Sequence, residues 1–172
     1  MPLTYVLDTS TLSASEIVGK QRRFPNNTSR RQPGSPGGIR RILQTSITRP
    51  FGIAISNGVA YVTSQTDGTV TSCTVSNSTL TNCTTAASGF NLPDGIAISN
   101  GVAYVTSAGD KTVTSCTVSG STLTSCALAA SGFTNPFGIA ISNGVAYVTN
   151  AVGGTVTSCT VSGSTLTSCA LA

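Results

Sequence analysis

The 172-residue chain contains no histidine and no tryptophan, and its single glutamate is Glu16. Histidine is the usual base near neutral pH and a common metal ligand, so its absence removes the ordinary general base and half of the usual zinc donor set. Acidic groups are equally sparse: beside Glu16 there are only Asp8, Asp67, Asp94 and Asp110. Serine and threonine are abundant, but a hydroxyl without an adjacent base is not an activated nucleophile. On these grounds the chain reads as not an enzyme, with no cofactor, no metal and no evident small-molecule substrate. No apolar run approaches the roughly 18 residues that would point to a membrane helix. The opening MPLTYVLDTSTLSASEIVGK has neither the basic start nor the apolar core of a secretory signal. Location stays open, although paired cysteines would suit an oxidising or surface environment.

What the chain does contain is repetition. The nine residues ISNGVAYVT occur at Ile55, Ile98 and Ile141, and a proline opens each unit at Pro50, Pro93 and Pro136, a period of 43 residues. Periods of about 40–45 residues belong to four-stranded propeller blades, with helical repeats overlapping the range. The unit itself decides between them, because no apolar spacing of 3.6 residues occurs in it. GIAIS is followed by Asn-Gly at Asn57-Gly58, Asn100-Gly101 and Asn143-Gly144 and then by VAYVT. Asn-Gly between two β-rich runs signals a hairpin, since both central residues of a type I′ turn need positive φ. A third run, TVTSCTVS, starts at Thr69, Thr112 and Thr155, and a fourth reads TLTNC or TLTSC. Four runs bounded by turn residues predict an antiparallel meander. Gly52, Ala54 and Ser56 keep its first strand small, as crowding near a central axis would require.

GIAISNGVAYVTN, complete at Gly138 to Asn150, resembles the YVTN-type β-propeller repeat, related to NHL-like blades; the other two copies end in YVTS. The resemblance covers Pro50 to Ala172 and implies a propeller, a fold that hosts many functions. Some propellers of this kind carry hydrolase or lyase activity on axial His, Glu or Asp residues, often around a metal, and the repeats here contain neither His nor Glu. The expected architecture is all-β: an irregular, basic, extended arm over 1–49, then three blades at 50–92, 93–135 and 136–172. Closed propellers have about 4–8 blades, so the outer blade faces need cover. A second chain completing a six-bladed ring, an open array of chains, or another protein would each supply it. Self-association is favoured, because identical blades present complementary faces. The segment Ile42 to Thr48 is a further candidate, as a strand clasping the last blade.

The six cysteines fall into pairs ten residues apart, Cys73/Cys83, Cys116/Cys126 and Cys159/Cys169. Folding the third and fourth strands together brings each pair opposite or one residue off register, within disulfide reach. Buried free thiols acting as small apolar residues remain the alternative. Asn26, Asn27, Asn77 and Asn82 head N-x-S/T triplets, which arise by chance in a chain this rich in Ser and Thr.

Eight of the nine Lys and Arg residues precede Pro50, while three of the five acids follow it. The stretch VGKQRRFPNNTSRRQPGSPGGIRR separates its doublets Arg22-Arg23, Arg30-Arg31 and Arg40-Arg41 with Pro, Gly, Ser and Asn, which favour neither helix nor strand. A solvated linker is one reading. The other is an arm lying on an acidic surface, where the planar guanidinium pairs with carboxylate or phosphate. Only Phe24 lies near the doublets to stack on bases, so an acidic protein is favoured over nucleic acid. The function expected is a structural or binding scaffold that assembles through its blade faces and anchors by its arm.

Overall fold

The computed structural model describes residues 47–172. The doublets Arg22-Arg23, Arg30-Arg31 and Arg40-Arg41 and most of the clasp segment lie outside the described residues. Its described end lies at the first blade, where Ser64 Oγ donates to the Thr48 carbonyl at 2.6 Å.

The described residues are all-β, without a helix, and form three four-stranded antiparallel sheets. The first holds β1 (Pro50–Ser56), β2 (Val59–Ser64), β3 (Thr69–Ser76) and β4 (Thr79–Ser88). The second holds β5 (Pro93–Ser99), β6 (Val102–Ser107), β7 (Thr112–Ser119) and β8 (Thr122–Ser131). The third holds β9 (Pro136–Ser142), β10 (Val145–Asn150), β11 (Thr155–Ser162) and β12 (Thr165–Leu171). Strands pair in chain order within each sheet, giving three propeller-type blades.

Local chemistry explains the strand boundaries. Asn57 and Gly58 turn at φ of 48° and 75°, the two positive values a type I′ hairpin demands. The same pair of conformations recurs at Asn100-Gly101 and Asn143-Gly144. The turn from third to fourth strand varies with its residues: Asn77 and Ser78 are both positive in the first blade, whereas only Gly120 and Gly163 are positive in the others.

The core lies between blades rather than within one. Tyr61, Val70 and Ala86 of the first blade pack on Ile96, Val105 and Leu123 of the second. Tyr104, Val113 and Ala129 of the second pack in the same way on Ile139, Val148 and Leu166 of the third. At both junctions a face built around Tyr and Val on the earlier blade thus meets a face of Ile, Val and Leu on the later one. Full burial of such side chains is worth roughly 1.5–3 kcal/mol each. This burial is what holds one blade to the next.

Candidate functional site

The first strand of each blade begins Pro-x-Gly, and its pairing with the second strand is irregular between Pro50 and Ile53, and likewise between Pro93 and Ile96. At the same place the first strands of adjoining blades come close to one another. A Cβ on Gly52 would collide with the Asp94 carbonyl, and one on Gly95 would stand 2.5 Å from the Phe137 carbonyl. Glycine is required there because two backbones touch.

Threonines of the second strand lock this approach. Thr63 Oγ1 accepts from Gly52 N at 2.8 Å and donates to the Asp94 carbonyl of the next blade at 2.6 Å. Thr106 Oγ1 repeats the pattern with Gly95 N at 2.7 Å and the Phe137 carbonyl at 2.8 Å. Farther out, Tyr61 OH donates to the Gly120 carbonyl and Tyr104 OH to the Gly163 carbonyl, each in the following blade. Burial pushes the Tyr61 and Tyr104 phenols above the ordinary tyrosine range.

The three Pro-x-Gly segments line an open cleft of about 210 Å³ at the convergence of the first strands. Phe51, Asp94 and Phe137 are the variable residues there. The rings of Phe51 and Phe137 meet edge to face at 5.6 Å, and the Arg49 guanidinium stands 5.7 Å from the Phe51 ring centre. Asp94 is buried among them. Burial raises its carboxyl above the usual range; a 2.7 Å hydrogen bond from Gln65 Nε2 and the Arg49 charge oppose the rise.

In the sequence Asp94 stands merely as one of the chain's five acids. The available signal was its singularity, the sole acid in any of the three first strands. A buried acid in a cleft with a perturbed proton affinity is a candidate for binding or proton chemistry. Asp67 and Asp110 serve turns instead: Asp67 Oδ2 stands 2.8 Å from Ser64 Oγ, sharing its one proton with the Thr48 carbonyl, and Asp110 Oδ1 accepts from Asn91 Nδ2 at 2.8 Å. Among the described residues no group of three His, Cys, Asp or Glu side chains is placed to hold a metal.

The cysteines are disulfides: Cys73–Cys83, Cys116–Cys126 and Cys159–Cys169, with Cα atoms 4.1 Å apart. Each sits at a break in register between third and fourth strands, such as that between Ser72 and Thr74. The residue before the second cysteine, Asn82, Ser125 or Ser168, takes a positive φ of 50°. A bulge therefore brings together cysteines that regular pairing would leave offset.

No protein-family model and no curated protein matches the chain. Solved structures do. A chain of a nidogen/laminin complex superimposes with a TM-score of 0.63 at 18% identity, over 73% of this chain and 48% of that one. A 6-phosphogluconolactonase, so named, of Bacteroides uniformis matches at 0.56 and 16% identity, over 81% and 43%. Virginiamycin B lyase from Staphylococcus aureus matches at 0.52 and 16%, over 67% and 39%. The chain spans about half the length of the first of these and less of the other two. These likenesses show a β-propeller-like fold. They also correct the expectation that the chain is not an enzyme, because two of these neighbours are named as enzymes. Scarcity of acids and bases does not exclude chemistry on a fold that carries enzymes elsewhere, and the cleft lining includes one acid, Asp94.

Proposed function

We propose that the chain is a propeller-type binding module of YVTN-type blades, which joins protein surfaces through its end faces and anchors to an acidic protein by Arg22, Arg23, Arg30, Arg31, Arg40 and Arg41. One observation carries the reading: the end blades leave bare the faces that are buried between blades elsewhere. Tyr147 is 42% and Val156 39% exposed, while their counterparts Tyr61, Tyr104, Val70 and Val113 are fully buried. On the first blade Ile53 is 56% and Leu80 37% exposed, against 5% for Ile96 and for Leu166. Bare apolar faces of this kind mark interaction surfaces.

The test is an environment-sensitive apolar dye added to the chain diluted to monomers. Dye should bind, and the variant Tyr147→Arg with Leu80→Arg should lose most of the signal. A monomer that binds none, or a variant that binds as much, refutes adhesive faces. The arm is tested separately on immobilised polyglutamate and RNA: retention on polyglutamate that fades with salt and with Arg-to-Ser replacement is expected. Retention on RNA alone would assign the arm to nucleic acid.

A further inference from the structure

Resting on that reading of the end faces, we propose that the bare face of the third blade takes the bare face of the first blade in a second copy of this chain, head to tail.

The contacts inside the chain repeat at fixed sequence offsets. The tyrosine bond spans 59 residues in both instances, and the threonine bond to the next blade spans 31 in both. Tyr147 and Thr149 are the third members of the two series. Carried forward by one period, their acceptors correspond in the first blade to the carbonyls of Asn77 and Phe51. The third blade is already set for such a neighbour. Thr149 Oγ1 accepts from Gly138 N at 2.8 Å, the bond that orients Thr63 and Thr106. Gly138 meets only Thr149 Oγ1, at 3.1 Å, so the space filled beside Gly52 and Gly95 by the next backbone is open beside it.

The apolar sets agree. The two packed clusters, advanced by one period, call for Tyr147, Val156 and Ala172 against Ile53, Val62 and Leu80 of the second copy. This continues an interface the molecule makes twice. It also sets direction, since two third-blade faces brought together would oppose hydroxyl donors to donors and supply neither carbonyl. A head-to-tail interface is heterologous; it closes into a six-bladed ring of two chains or runs on as an open array.

The experiment measures particle mass for the 172-residue chain and three variants, with circular dichroism confirming folded sheet. Tyr147→Arg and Leu80→Arg each alter a side chain exposed in the single chain, and Leu128→Arg alters an exposed side chain outside the proposed contact. The unmodified chain and Leu128→Arg should run at two or more times 17.3 kDa. Each of the other two should weaken association by at least about 100-fold, as loss of a central interface residue does. Mixed together they should recover a particle of two chains, because each keeps the face the other lacks. Recovery separates head-to-tail pairing from face-to-like-face pairing, in which one variant would associate unaided and mixing would restore nothing. An unmodified chain that stays at 17.3 kDa overturns the pairing; if that monomer binds the apolar dye, the adhesive faces survive, and if it does not, both readings fall.

Discussion

The second and third blades carry the same residues at Gly95 and Gly138, Tyr104 and Tyr147, and Thr106 and Thr149. In the second blade these groups are bonded or packed against a neighbour; in the third, Tyr147 is exposed and Thr149 reaches only its own strand pair. Identical sequence therefore yields core in one place and surface in another. Burial at these positions belongs to the neighbour as much as to the residue.

The difference should appear first in stability. Tyr104→Ala removes a buried ring and its hydrogen bond and should cost about 3–5 kcal/mol, whereas Tyr147→Ala in the dissociated chain should change stability by less than about 0.5 kcal/mol. Denaturant unfolding of dilute protein measures both, and equal losses would abolish the contrast.

Disulfides test the opposite property, since each lies within one blade. Replacing Cys116 and Cys126 by serine should cost about 2–3 kcal/mol, and replacing Cys159 and Cys169 the same. Unequal losses by calorimetry would show that a bridge also depends on the adjoining blade.

Alkaline pH acts next, on the covered tyrosines. Their raised proton affinity contributes stability that is complete below the ordinary phenol value of about 10 and is lost as pH rises through the higher folded value. The unfolding midpoint should fall above that pH, and Tyr61→Phe with Tyr104→Phe should flatten the fall. An unchanged slope in that variant would place the titration elsewhere.

The smallest effect concerns the bulges. Ser125→Gly and Ser168→Gly relieve a positive φ and should each raise stability by about 1 kcal/mol or less. A loss at either would mean that the serine hydroxyl matters more than its backbone.

Features set by neighbours in sequence were legible before any coordinates. Asn57-Gly58 announces its hairpin because two residues determine the turn, and small residues at Gly52 and Ala54 announce crowding. The cysteine spacing allowed a bridge but left the register open, because a bulge with a left-handed serine has no compulsory residue type. Which tyrosine is covered was illegible, since all three sit in identical surroundings of sequence. Asp94 shows in the sequence as the sole acid of the three first strands, but its surroundings do not: its cleft is assembled from three blades, and no window along the chain contains it.

Every ladder joins strands that are consecutive in the chain. A genetic duplication of one 43-residue stretch, wherever in the period its ends fall, would insert a whole sheet and oblige no older strand to change partner. Size in such a lineage is adjustable in integer steps, and each new member arrives with both of its adhesive sides already matched to its siblings.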